Sequence, residues 1–123
     1  MEQVSLQRSA RAAGQGRSFV AGFCARHAVP EPVAADAVLI VSELVTNAYL
    51  HAGSGAQVCA GWNGGLLRVE VADDSAAVPR ALPASMGATS GRGMMITKAL
   101  ASRWGTSPAG TGKVVWFEVD APA

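Results

Sequence analysis

In the stretch VSELVTNAYLHA, Val41 to Ala52, a glutamate and an asparagine stand four residues apart in an otherwise apolar segment. Read as a helix, that spacing stacks Glu43 and Asn47 one turn apart, and Asp36, Glu43 and Asn47 fall within roughly 40° of one another. The opposite side carries Ala37, Val41, Leu44, Val45 and Ala48, and the flanks carry Leu39, Ile40 and Leu50. A helix apolar nearly all round should be buried. An ionised carboxylate or an unpaired amide is costly there unless something satisfies it. Two readings stand on helix geometry alone. In one, Glu43 and Asn47 cap a neighbouring loop or pair within the fold. In the other, the polar stripe floors a pocket: Asn47 offers its side-chain oxygen to a hard cation such as Mg²⁺, and Glu43 accepts the proton of a nucleophile attacking a phosphate. His51, one turn further on, suits capping or packing.

A second acid lies at the end of LLRVEVADD. Leu67, Val69 and Val71 share one face by period two, and Asp73 continues their parity, so it should point to the side covered by helices. Asp74 should point to solvent. Asp73 reads either as a turn-starting aspartate or as an inward carboxylate able to accept a hydrogen bond from an exocyclic amine such as that of adenine. In SGRGMM, Gly91 and Gly93 stand just before a helical pattern. Glycines let backbone approach a ligand, and a helix N-terminus attracts anions. Arg92 between them could add a charge-assisted contact.

The elements that must carry these residues follow from periodicity. Residues near 3–8 alternate as a short edge strand. Ser9 to about His27 is helical in pattern, weakened by Gly14 and Gly16. VPEP breaks the chain, and the next helix runs from about Pro32 to Leu50 or His51, with Gly53 as its C-terminal cap signal. AQVCAGW and LLRVEVA flank NGG, a hairpin signal. About twenty residues without periodicity follow Val71 and read as a functional lid. MMITKALASRWG reads as a helix ending near Ser102, SPAGTG as a turn, and KVVWFEV as a closing strand. This order predicts an α+β fold: a two-layer sandwich with helices packed on one face of a mixed sheet.

Composition narrows the function. The 123 residues suit one domain, and 50% hydrophobic content excludes a disordered chain. The net charge of +1 gives no footprint for nucleic acid or an anionic membrane. No apolar run is expected to span a bilayer, and the first residues lack a secretory signal, which places the protein in the cytoplasm. Cys24 and Cys59 read as reduced, mostly buried residues rather than as part of a zinc site with His27 or His51.

Together these residues resemble the GHKL, or histidine-kinase-like, ATPase superfamily, and within it the small bacterial anti-sigma-factor serine kinases and related regulatory ATP-binding proteins. SELVTNAYLHA is similar to the N box, VADDSAAVP to the G1 box, GRGMMITKALASRWG to the G2 box and GKVVWFEV to the last strand. The resemblance implies the Bergerat ATP-binding fold over residues 1–123, with ATP and Mg²⁺ as cofactors. It implies Glu43 as general base, Asn47 as Mg²⁺ ligand, Asp73 as the acid reading the adenine amino group, and Gly91 and Gly93 with Arg92 around the phosphates. It further implies a homodimer that binds a sigma factor and phosphorylates a serine or threonine of an anti-sigma-factor antagonist protein. The alternative is a non-catalytic nucleotide-binding module that switches partners. Two departures stand out. Ser75, Ala76 and Ala77 replace the glycines usual after the G1 aspartate, and Val114 occupies a position where many relatives carry threonine, with loss of a polar contact near adenine expected.

Overall fold

The structure, a computed structural model, describes residues 1–74 and 88–122, of which 88–93 are described by their backbone alone. Eight elements follow in the order β1 (Glu2–Leu6), α1 (Ala12–Arg26), α2 (Glu31–His51), β2 (Ala56–Trp62), β3 (Leu66–Asp73), α3 (Ala88–Leu100), β4 (Arg103–Ala109) and β5 (Gly112–Asp120). The strands form one sheet in the order β1-β2-β3-β5-β4. The expected α+β class holds, with one change. Every neighbouring pair is antiparallel, where a mixed sheet was expected. A strand–helix–strand passage normally returns parallel to its start. Here β4 does so relative to β3, but β5 inserts between them and removes the parallel contact.

The strand β4 is itself a correction, because RWGTSPA was read as a helix end and a turn. Its Pro108 and Gly105 argue against a central strand. At the sheet edge Pro108 costs no ladder bond on the open side, and Gly105 serves packing. A Cβ there would lie 2.8 Å from the Trp116 ring across the strand pair. The β4–β5 turn carries Gly110 at φ 59°, as the foreseen β2–β3 hairpin carries Gly64 at φ 91°. Asn63 Oδ1 tightens that hairpin by accepting from the Gly65 and Leu66 N–H groups, both at 2.8 Å.

Alternation along β3 and β5 buries Leu67, Val69, Val71, Val115, Phe117 and Val119 on one face, where α2 lies as the central helix between α1 and α3. On α2 the buried stripe is Val33, Ala37, Ile40, Val41, Leu44, Val45 and Ala48. The helix is long and apolar enough to cross a membrane by length and composition alone, contrary to the expectation that no run would be. That apolarity is used in the core instead. Gly16 lets α1 approach closely, since a Cβ there would come within 3.2 Å of Val45. α2 ends as foreseen at His51, but Ala52 leaves it in extended conformation. Gly53 is not a left-handed cap; its N–H donates to Asp74 Oδ1 at 2.8 Å.

Candidate functional site

The polar stripe of α2 sits on a shoulder of its buried face. At about 100° per residue, Asn47 lies next to Ile40, and Glu43 and Asp36 lie beyond it. On the other shoulder Val41 and Val45 face Gly16 of α1, and the Ser42 hydroxyl accepts from Arg17 Nη1 at 2.8 Å. With α1 occupying that flank, the stripe of Asp36, Glu43 and Asn47 lies on the flank left for α3, which also packs on α2. Glu43 and Asn47 are both half-buried. The Asn47 Oδ1 atom is fully buried and accepts no hydrogen bond among the described residues. Such an acceptor costs about 1–3 kcal/mol relative to a satisfied one. The stripe is therefore not a set of caps whose needs are all met among the described residues.

Asp73 lies where parity placed it, on the helix side at the end of β3, with its side chain only 5% exposed. Lys113 is its cross-strand partner on β5. The Lys113 ammonium donates to both carboxylate oxygens, at 2.9 Å to Oδ1 and 3.1 Å to Oδ2. The strands approach closely here because residue 112 is glycine: a Cβ would lie 1.9 Å from the Asp73 carbonyl oxygen. Asp74 points outward as expected, yet it has work to do. Its carboxylate accepts from the Gly53 and Ser54 N–H groups, tying the end of α2 to the end of β3. Those backbone donors, Gly53 first, hold its carboxyl below the ordinary value.

Gly91 and Gly93 do not precede the helix as expected. They lie within the first turns of α3, which begins at Ala88. The lid was expected over residues 73–93: its last part, from Ala88, is the start of α3, while residues 75–87 and the Arg92 side chain lie outside the described residues. Among the described residues, no three His, Cys, Asp or Glu side chains gather as a metal site.

A sequence profile described as the histidine kinase-like ATPase domain matches residues 6–119. The chain belongs to this family. The resemblance drawn from the N, G1 and G2 boxes is thereby borne out. No protein with a curated description matches the chain. Among solved structures, the RsbU and RsbW domains of Rv1364c from Mycobacterium tuberculosis share its fold, with a TM-score of 0.75 at 22% identity. That match covers 99% of this chain and 33% of the other, so the chain spans about a third of that protein's length.

Membership in the histidine kinase-like ATPase family implies ATP binding, and the residues present fit that implication. The unsatisfied Asn47 oxygen is the kind of hard donor Mg²⁺ takes while keeping waters and phosphate oxygens for its remaining positions. The structure also bears on the expectation for Val114. Val114 pairs with Ala72 and shares the outer face of the sheet with Trp116 and Glu118. By the pleat it points away from Asp73, so its lack of a hydroxyl removes nothing from the helix side. The residue that shares Asp73's face is Lys113, which sequence reasoning passed over. Only the β3–β5 register reveals it, and those strands are not consecutive.

Proposed function

We propose that this chain is an ATP- and Mg²⁺-binding regulatory protein of the anti-sigma-factor serine/threonine kinase type. The observation that carries the reading is the buried, unsatisfied Asn47 oxygen one helical turn from Glu43, in a chain of the histidine kinase-like ATPase family. Asn47 would hold Mg²⁺, which when bound neutralises phosphate charge. Asp73 would accept from the base. Glu43 would take the proton of a serine or threonine hydroxyl on an antagonist protein as its oxygen bonds to the γ-phosphorus; the bond to the ADP oxygen breaks and ADP leaves. Gly91, Arg92 and Gly93 would face the phosphates from the start of α3. The domain, read over residues 1–123, would act in the cytoplasm as a homodimer and sequester a sigma factor. Phosphorylation would release partners by adding charge at an interface.

The test is calorimetric titration with ATP, with and without Mg²⁺, followed by phosphate transfer from labelled ATP to a candidate antagonist. Mg²⁺-dependent binding with label on a serine or threonine is expected. Binding without transfer to any antagonist would leave a nucleotide-dependent partner switch, and no binding at millimolar ATP would overturn the reading.

A further inference from the structure

We propose that Asp74 is a positioning residue for the nucleotide: its carboxylate holds Asn47 on α2 and Asp73 on β3 at the spacing that lets one ATP engage both. This rests on the reading above, which puts the metal at Asn47 and the base at Asp73. Those two residues stand on different layers, one on a helix and one on a strand of the sheet beneath it. The side chains buried between the layers are apolar. Such contacts are non-directional, so they hold the helix against the sheet without fixing where its end comes to rest. Hydrogen bonds are directional, and at this end of the molecule Asp74 receives them.

Asp74 Oδ1 accepts from the Gly53 N–H at 2.8 Å and from the Ser54 N–H at 3.3 Å. Both donors lie just past the end of α2 at His51, and Asp74 directly follows Asp73 at the end of β3. The clamp thus joins the segments that lead out of the two halves of the proposed site. Its acceptor is charged, which strengthens both bonds. The same segment is held from its other side. Arg8 Nε donates to the Ala52 carbonyl oxygen at 3.1 Å, and its guanidinium lies 4.8 Å from the centroid of the Tyr49 ring on α2. Residue 55 must be glycine, since a Cβ there would lie 1.8 Å from the Leu6 carbonyl oxygen. Those contacts refer the end of α2 to the end of β1, and Asp74 refers it to β3, the strand that carries Asp73. The bland account is a turn that only closes the connection from α2 to β2. It predicts that loss of Asp74 affects both ends of a ligand alike, through the fraction of folded chain.

The test compares Mg·ATP with Mg·tripolyphosphate, which carries phosphates and metal but no base, in the whole chain, Asp74→Ala and Asp74→Asn. A ligand that spans two correctly spaced contacts gains over either part alone, and a misplacement of about 1 Å forfeits up to about a hundredfold. Asp74→Ala should therefore lose Mg·ATP affinity by about ten- to a hundredfold and Mg·tripolyphosphate affinity by less than about threefold. Asp74→Asn keeps an oxygen that accepts both N–H groups and should restore Mg·ATP affinity to within about fivefold of the unaltered chain. Equal losses for the two ligands in Asp74→Ala, or no loss of Mg·ATP, would overturn the proposal. So would an asparagine variant as weak as the alanine one. An unaltered chain that holds Mg·tripolyphosphate as tightly as Mg·ATP, or not at all at millimolar concentration, would overturn it too, because the site would then have no separate ends to align. Failure of the unaltered chain to bind Mg·ATP would instead overturn the reading on which this one stands.

Discussion

The two faces of the sheet carry ion pairs of the same chemistry in different surroundings. On the outer face Arg68 joins Glu70 and Glu118, each at 2.9 Å, and Arg103 joins Glu118 at 2.7 Å and also Asp120. Arg68 further stacks over the Trp116 ring, 4.4 Å from its centroid. These groups bridge β3, β5 and β4, and water reaches much of them, Arg103 being 47% exposed. On the inner face the pair of Asp73 and Lys113 is almost wholly shielded, and the unsatisfied Asn47 oxygen lies on the helix layered over that face. Exposed pairs contribute little each and hold strands together mainly in concert. Shielded polar groups are poor stabilisers unless all are matched. The outer network therefore serves the fold, and the inner groups are the ones that the proposed function gives to a ligand.

Substitutions on the inner side should break function while the outer side leaves it intact. Glu43→Ala should keep Mg·ATP binding and lose phosphate transfer by about a hundred- to ten-thousandfold, measured as labelled phosphate on the antagonist. Undiminished transfer would remove Glu43 from the chemistry. Asp73→Asn should weaken adenine nucleotides by about tenfold while sparing inorganic phosphate analogues. Because it removes the carboxylate charge that faces Lys113 at 2.9 Å, it should also cost stability on the order of 2–3 kcal/mol in urea unfolding. Equal weakening of both ligand types would make Asp73 only a structural residue.

Glu118→Gln, on the outer face, should leave nucleotide affinity unchanged and cost under about 1 kcal/mol in the same unfolding experiment, since its partners are 33% and 47% exposed. A larger loss, or a change in affinity, would erase the contrast between the faces. Acid titration offers the gentlest probe. Arg103, and then Arg68, hold the Glu118 carboxyl below its ordinary 4.5, and Arg103 lowers Asp120. With folded values below unfolded ones, the stabilisation is fully present at neutral pH. It is lost as pH falls below about 4.5, because the unfolded chain takes up the protons first. The urea midpoint should therefore drop between neutral pH and about pH 3, and less so in Glu118→Gln. A pH-independent midpoint would contradict this assignment.

The sequence made the helix carrying Glu43 and Asn47 legible because a 21-residue apolar segment with a proline near its start admits little else. The β2–β3 hairpin was equally plain from Asn63 and its glycines, and Asp73's inward direction followed from simple alternation. What stayed hidden depended on contacts between distant segments. Gly105 and Pro108 look like breakers until Trp116 and a free sheet edge are in view. The inner pair of Asp73 and Lys113 lies forty positions apart along the chain and joins only when β5 inserts between β3 and β4. Val114 was placed near adenine by resemblance, and only that register shows that it faces the outer side of the sheet. The polarity of the α2 stripe was readable, but the unmet hydrogen bond of Asn47 was not, since satisfaction is a property of surroundings.

That unmet bond is where the account is most exposed. Calorimetric titration of ATP in Mg²⁺, run on the unaltered chain and on Asn47→Ala with thermal unfolding of both, tests it directly. The account predicts that Asn47→Ala abolishes Mg²⁺-dependent binding and does not lower the unfolding temperature of the ligand-free chain, because no hydrogen bond to that oxygen is lost and the cost of burying it is relieved. Normal Mg·ATP affinity in Asn47→Ala would contradict it, and would return Asn47 to the ordinary polar residues of a helix flank.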